Sequence, residues 1–320
     1  MRTPPASRLG GTGLDPCLSL DRHKVLHRHF LARVSVPGPE RSPLSTEDEV
    51  LARETERQWN ERLGQLVARH AAEVPRHAEG FEAWYREWAA LHEHEVTPFA
   101  RFLAREASLV GMALFFVAEE KVDSHFDDLM ALAQIGTSGG IKLAIAQNYW
   151  DEMGNGDAER VHTTMFDTSV RHMKEEARRR GIDHDALTEL PEVYANAGQL
   201  LMYGVRRPCW PRLLGALGIL EYSASHRFQA MVDGCERLGV PDHAIAYQRA
   251  HIGIDEQHGE DWLRHVLVPL VQASPELIPE IAHGVVARLY VARAYYQAVH
   301  ALLLSSDARA SQHQEVSSYA

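Results

Sequence analysis

Cysteine is scarce in this chain, and long apolar runs and strand-like alternation are nearly absent. The three cysteines, Cys17, Cys209 and Cys235, form no C-x2-C pair, so we expect a reducing cytoplasm rather than a disulfide framework. No apolar run approaches the roughly 20 residues of a membrane span. The first 15 residues lack the apolar core of a signal peptide. We therefore expect a cytoplasmic protein that has no membrane partner.

Excess positive charge is also missing. The net charge of −11 and the isoelectric point near 5.9 argue against nucleic acid as a partner. The chain has 320 residues, and 45% of them are hydrophobic, which is ordinary for a globular protein. This length is enough to bury a large core in one large domain or two small ones.

Helical periodicity dominates between two polar ends, and glycine and proline supply the breaks. The pattern predicts an all-α protein with about nine helices. We expect a disordered arm (1–20), an N-terminal helical segment (21–95), the core (96–304) and a disordered tail (305–320). The charge-rich part of the N-terminal segment would form an auxiliary layer or a subunit contact. The predicted helices span residues 45–74, 79–93, 97–134, 138–153, 157–180, 185–203, 211–237, 241–270 and 276–304.

The most informative pattern is His251-x3-Asp255-x2-His258. Positions i, i+4 and i+7 share one stripe of an α-helix. Two imidazoles and a carboxylate on one stripe suit Fe, Mn or Zn better than Mg or Ca. Tyr247 and Trp262 extend the stripe by one turn on either side, which is unusual for a solvated face. Because the chain has 19 histidines, the pattern also arises by chance, and other candidate ligands must decide.

Glu221 and His162 lie on apolar stripes of two other predicted helices. Glu221 shares its stripe with Leu217 and Phe228, where an ionised carboxylate is costly unless it is paired or bound to a metal. A bond to a neighbour such as Arg227 is the alternative to a metal. His162 shares its stripe with methionine and phenylalanine side chains, and a core histidine is the alternative there.

Glu152 ends a predicted helix and precedes His162 by ten residues. On an unbroken helix this spacing places the two side chains about 80° apart. The glycines between them, Gly154 and Gly156, can rephase the chain so that both side chains face one centre. A plain interhelix turn with Asp157 as the N-cap is the alternative.

Glu119 and Glu120 end an apolar run, and they point in different directions on the predicted helix. Glu119 continues the inward stripe of Phe115, whereas Glu120 aligns with Asp123 and Asp127 on a face that we expect to be solvated. Glu119 is therefore the ligand candidate of the pair.

Taken together, these residues resemble the haem-oxygenase-like diiron oxidases and oxygenases. The segment from Asn148 to His162 resembles that family's N-x2-D-E-x-G-x-G-x5-H signature. Glu221 and the motif that starts at His251 resemble its E…H-x3-D-x2-H pattern. The resemblance covers roughly residues 97–270. It implies a haem-oxygenase-like helical bundle of about seven core helices with extra N-terminal helices.

The resemblance also implies two Fe(II) ions per chain, O2 as cosubstrate and an external reductant. Glu152 matches a position that supplies an extra carboxylate in the subgroup that oxygenates amine nitrogens. Glu120 and Glu159 remain alternatives for the first carboxylate. The implied ligands are Glu119, Glu152, His162, Glu221, His251, Asp255 and His258.

The function implied by this resemblance is oxygenation of an amine or amino-acid nitrogen to an N-hydroxy or nitro group in a specialised biosynthetic pathway. Desaturation or oxidative C–C cleavage of an amino or fatty acid is a second hypothesis. A metal-free helical binding protein on the same scaffold is a third. An arginine near the site (Arg206, Arg207, Arg212 or Arg227) would favour a small carboxylated substrate. Expected partners are an amine or amino-acid substrate, an electron donor and a second copy of the chain that contacts residues 45–95.

Overall fold

The computed structural model describes residues 19–38, 44–252 and 254–318, with side chains described except at 254–256 and 308–318. Most of the predicted N-terminal arm therefore lies outside the described residues. Helices and turns account for the described chain, which contains no strand, and this confirms the all-α prediction. None of the described helices combines the length and apolar character needed to cross a bilayer. The α-helices are α1 (Leu20–Val34), α2 (Thr46–Ala68), α3 (Phe81–Arg105), α4 (Leu109–Asp123), α5 (Phe126–Gln134), α6 (Gly139–Glu152), α7 (His162–Arg179), α8 (His184–Leu187), α9 (Pro191–Val205), α10 (Trp210–Arg237), α11 (Ala246–His251), α12 (Ile254–Asp261), α13 (Val268–Ala273) and α14 (Ile278–Ser318).

Helix α10 is central to the bundle, where it packs against α3, α12 and α14. Two apolar clusters fill the interior on either side of its midpoint. Leu220 packs against the cluster that contains Trp59 and Trp262. Phe228 belongs to the second cluster, together with Phe166. The middle of α10 therefore lies where the two clusters meet, and this is the position of Glu221.

Helix α1 lies in a stretch for which no helix was predicted. Ser19 caps its first turn by accepting a hydrogen bond from the backbone N–H of Arg22, at 3.5 Å. Leu26 and Phe30 are buried in the same cluster as Trp59 of α2, so the N-terminal helices share the main core. The helix was missed because several of its buried positions are histidines, which blur the apolar stripe.

Pro98 does not separate two helices as predicted. It lies inside α3, which continues to Arg105, and the next break comes only before α4. Val96 and Phe99 on either side of the proline are buried, so core packing holds both halves of the helix in line despite the lost N–H donor. The predicted helix 97–134 is instead divided among α3, α4 and α5.

The predicted single helix 241–270 is also wrong. Helix α11 ends at His251, Ile252 has an extended backbone (φ −69°, ψ 116°), and α12 begins at Ile254. A π-helical segment (Trp262–Leu267) then joins α12 to α13. His251 and His258 therefore lie on different helices, and the stripe expected for one continuous helix does not apply.

Helix α14 does not end near residue 304 as predicted but remains helical to Ser318, into the segment expected to be a disordered tail. No glycine or proline follows Gly284 to stop it. The hydroxyls of Ser305 and Ser306 donate to the Leu302 carbonyl at 2.8 and 3.0 Å, so these polar side chains are satisfied within the helix.

Candidate metal centre

A cavity lies in the interior beside the middle of α10. Its apolar wall includes Phe126, Leu220 and Phe228. Most of its remaining lining is polar or ionisable, which is unusual for a protein interior. These polar residues are Glu119, Asp123, Glu152, Asn196, Glu221, Arg227, Tyr247, His251, Arg288 and Tyr296.

Five of the predicted ligands come together as two overlapping groups. Glu152, His162 and His251 form one, and Glu152, Glu221 and His258 form the other. Within each group the potential ligand atoms all lie within 4.8 Å of one another, and all five residues are buried. Glu152 belongs to both groups, so the two groups share one carboxylate.

The glycine turn after α6 brings Glu152 to His162. Gly154 and Gly156 have φ values of 61° and 88°. These left-handed conformations change the direction of the chain between α6 and α7. Oε2 of Glu152 consequently lies 2.9 Å from Nδ1 of His162. A Cβ at Gly154 would lie 2.4 Å from the carbonyl carbon of Arg160, so the turn requires glycine there. The rephasing considered for these glycines is present, and so is the alternative's cap, since the Asp157 side chain accepts a hydrogen bond from the Glu159 backbone N–H at 3.0 Å.

The ring of His251 is oriented by a backbone group. Its Nδ1 lies 2.8 Å from the carbonyl oxygen of Tyr247. Because a carbonyl only accepts, Nδ1 carries the hydrogen and Nε2 keeps its lone pair. Burial, reinforced by the nearby His162, lowers the pKa of His251 well below its usual value. A neutral imidazole whose second nitrogen is fixed by a hydrogen bond is the form that binds metals.

His258 lies between two carboxylates. Its Nε2 is 3.1 Å from Oδ2 of Asp151, and its Nδ1 is 3.7 Å from Oε2 of Glu221. A Cβ at Gly259 would lie 2.4 Å from the Cα of Tyr222, so glycine lets α12 approach α10 closely enough to place His258 beside Glu221. Asp151 was not predicted as a functional residue, although it stands in the signature segment.

Glu119 belongs to neither group. One of its oxygens pairs with Arg227, and the other accepts a hydrogen bond from the Tyr295 hydroxyl at 2.5 Å. Arg227 therefore pairs with Glu119. It does not pair with Glu221, for which the sequence analysis considered it as a partner. Metal binding by Glu119 stays a prediction. So does binding by Asp255, which lies outside the residues whose side chains are described.

The alternative first carboxylates lie at the surface or near it. Glu120 is part-buried and accepts two 2.8 Å hydrogen bonds from Lys174, and Glu159 is exposed. Asp123, in contrast, is buried against the cavity, so the expectation of a solvated face is wrong at this position. Burial, and then the charge of Glu119, raise the pKa of Asp123 well above its usual value. Its position one helical turn after Glu119 was the signal in the sequence.

The residues present fit a redox-active metal. Among the described atoms, Oε1 of Glu221 and Oδ2 of Asp123 are buried without a hydrogen-bond partner. Burial also raises the pKa of Glu152, which means that the ionised form of this carboxylate is destabilised here. A divalent cation would relieve this destabilisation, and a donor set of imidazoles and carboxylates suits iron.

Comparison with known proteins agrees with an iron site. The model of the iron-containing redox enzyme family matches residues 113–293, more than half of the chain. The chain belongs to this family. The matched interval includes every predicted ligand, and the family assignment confirms the resemblance seen in the sequence. It also confirms the haem-oxygenase-like helical fold class.

This iron-containing redox enzyme is also similar to a nitrosourea synthase of Streptomyces achromogenes subsp. streptozoticus. The two are 29% identical over 161 residues, which cover 44% of this chain and 30% of that protein. The chain thus matches less than a third of the relative's length.

Three further polar cavity residues, Asn196, Arg288 and Tyr296, were missed because they lie far from the ligands in sequence or outside the span of the resemblance. Asn196 comes from α9 and Arg288 from α14. Arg288 did carry a signal, since it is a lone cation in the apolar stretch from Val285 to Val291.

Proposed function

We propose that this chain is a non-haem diiron, O2-dependent oxygenase. Its substrate is an amine or amino-acid-like small molecule, and its reaction converts the nitrogen to an N-hydroxy or nitro group. The observation that carries the proposal is Glu152, a buried carboxylate shared by two His/carboxylate groups. The similarity to a nitrosourea synthase supports nitrogen chemistry.

The two groups would each hold one iron, with Glu152 between them. His162 and His251 would complete one set, and Glu221 and His258 the other. Bound ferrous ions would supply electrons for the reduction of O2, and an external reductant would restore them.

The protein's own residues orient this centre and enclose the substrate. The Tyr247 carbonyl holds the hydrogen of His251 on Nδ1 and aims Nε2 inward. The Asp151 carboxylate orients His258 in the opposite sense, because it accepts from Nε2 and leaves the lone pair on Nδ1. Phe126 and Phe228 give the cavity apolar walls that exclude water and contact the carbon skeleton of a substrate.

The first test is anaerobic Fe(II) titration of the wild type, Glu152→Gln and Glu159→Gln. We expect two irons per chain in the wild type and in Glu159→Gln, because Glu159 is exposed. Glu152→Gln should lose affinity at both positions, since the shared carboxylate serves both. A wild type that takes up no iron would leave the His/carboxylate cluster as core polar structure, as in the binding-protein hypothesis.

The reaction type is tested by the product mass. The iron-loaded protein is mixed with O2 and a panel of amines and amino acids, and compounds that accelerate O2 consumption are analysed. N-oxygenation adds oxygen to an intact carbon skeleton. Loss of two hydrogens, or a shortened skeleton, would instead establish desaturation or C–C cleavage and overturn the N-oxygenase assignment.

A further inference from the structure

Arg288 is a buried cation on the cavity wall, and only 3% of it is exposed. Its Nη1 donates to the Asn196 carbonyl oxygen at 2.9 Å and to Oε1 of Gln199 at 3.2 Å. Its Nη2 donates to Oδ1 of Asn196. All of these acceptors are neutral, and Nε has no partner among the described atoms.

Arg288 therefore has no carboxylate hydrogen-bonded to it within the described part of the chain. Burial lowers its pKa to about 10, so the guanidinium still carries its charge at neutral pH. Arg227, the other arginine of the cavity, is neutralised by its pairing with Glu119. A buried unpaired charge is costly, and proteins keep one where a ligand supplies the counter-charge.

Arg288 and the two His/carboxylate groups come from different helices. Arg288 belongs to α14 and donates to Asn196 of α9. The His/carboxylate groups come from α6, α7, α10, α11 and α12. The cavity lining thus combines a buried cation from α14 with carboxylates and an imidazole from the other helices.

We propose that Arg288 anchors the carboxylate of the substrate, which is therefore an amino carboxylate rather than a simple amine. The inference rests on the proposed function for the orientation, in which the amine points to Glu152 and Glu221. A guanidinium suits this role because it binds a carboxylate in a planar, charge-assisted pair. The apolar residues Leu220 and Phe228 would contact the carbon chain between the two ends.

The test compares acids with matched amides. The probes are 4-aminobutanoate, 6-aminohexanoate and L-lysine, each against its carboxamide, which keeps the length and the amine but lacks the anion. Dissociation constants are measured by calorimetry on the wild type, Arg288→Met, Arg288→Lys and Arg212→Met. Arg212 is the control because it is a part-buried arginine that pairs with Glu280 at 2.5 Å and does not line the cavity.

We expect at least one acid to bind the wild type and Arg212→Met at least about tenfold more tightly than its amide, in line with a charge-assisted pair. Arg288→Met should abolish this preference while leaving the affinity for the amide unchanged, and Arg288→Lys should keep part of it. The proposal is overturned if no acid is preferred by the wild type, or if Arg288→Met weakens acids and amides alike, as a purely structural arginine would. If Arg288→Met does not fold, Arg288→Lys carries the test, because a preference for acids as strong as that of the wild type would overturn the assignment to Arg288 and a weaker one would support it.

Iron content measured on the same samples separates this inference from the proposed function. A wild type that prefers acids but binds no iron would overturn the proposed diiron function and would still support Arg288 as the carboxylate anchor. A wild type that binds two irons but shows no preference for acids would overturn only the proposal that Arg288 binds the substrate carboxylate.

Discussion

Oε2 of Glu152 lies 2.9 Å from Nδ1 of His162, although the two residues are ten apart in sequence and belong to different helices. The turn at Gly154 and Gly156 makes this contact possible, because both glycines adopt positive φ values. A short turn thus joins the shared carboxylate to the first histidine of the centre.

Replacement of Gly154 by alanine should disrupt this turn. The new Cβ would meet the carbonyl carbon of Arg160 at 2.4 Å, and the φ of 61° disfavours a side chain. We expect the free energy of unfolding to fall by about 1–3 kcal/mol or more. Iron bound per chain should fall with it.

Gly140→Ala in the preceding helix α6 is the control, since its Cβ would have no atom within 4 Å. Urea unfolding and iron analysis of both variants check the prediction. A Gly154→Ala protein that binds as much iron as Gly140→Ala would show that the turn does not position the ligands.

Asp151→Asn should weaken metal binding without removing a ligand. Asp151 fixes Nε2 of His258, and loss of such an orienting carboxylate typically costs 10- to 100-fold in metal affinity, as an order of magnitude. Competition with a chelator measures the change. Asp167→Asn is the control because Asp167 is exposed and pairs only with Arg171 among the described residues. Equal affinities of the two variants would contradict an orienting role for Asp151.

Glu119→Gln should destabilise the metal-free protein by about 3–5 kcal/mol, because it leaves Arg227 buried without its carboxylate. Glu120→Gln removes a more exposed pairing with Lys174 and should cost only about 0–1 kcal/mol. Urea unfolding of both variants measures the difference, and similar costs would refute the structural role.

Iron titration of Glu119→Gln answers a second question with the same sample. Loss of bound iron would support the sequence-based prediction that Glu119 is a ligand. Two retained irons would restrict Glu119 to its pairing with Arg227 and Tyr295.

Stability should fall as the solution becomes acidic. Burial lowers the pKa of His92 to about 3 and that of His23 to about 4, from an ordinary value of 6.5. The unfolded chain therefore binds more protons than the folded one below pH 6.5. The free energy of unfolding is at its full value above that pH and decreases as pH falls from about 6.5 towards about 4.

His92→Leu should reduce this pH dependence, because His92 is buried and neither ring nitrogen has a hydrogen-bond partner among the described atoms. His94→Leu, which alters an exposed histidine of the same helix, should leave it as in the wild type. Urea unfolding at about pH 7 and about pH 4.5 gives the comparison. If His92→Leu loses as much stability as the wild type between these pH values, His92 is not a source of the effect.

Where the sequence-based reasoning failed, packing overrode a local signal. Pro98 lies within a helix because its apolar neighbours hold the chain in the core. Asp123 is buried although it aligns with Glu120, because Asp123 lines the cavity whereas Glu120 pairs with Lys174. The extended backbone at Ile252 ends α11 and so places His251 and His258 on different helices. No proline lies between these histidines to indicate a helix end in the sequence.

The sequence by itself determined the helical class and the glycine break at Gly154, because these depend on local backbone preferences. Motifs that resemble those of the family singled out the five residues that cluster in the structure. Only the tertiary structure decided which distant groups meet. It placed Arg288 of α14 on the cavity, engaged Glu119 with Arg227, and brought His258 to Asp151 and Glu221. These contacts join residues about 40 to 110 positions apart, and their geometry follows from how helices pack, which no local pattern encodes.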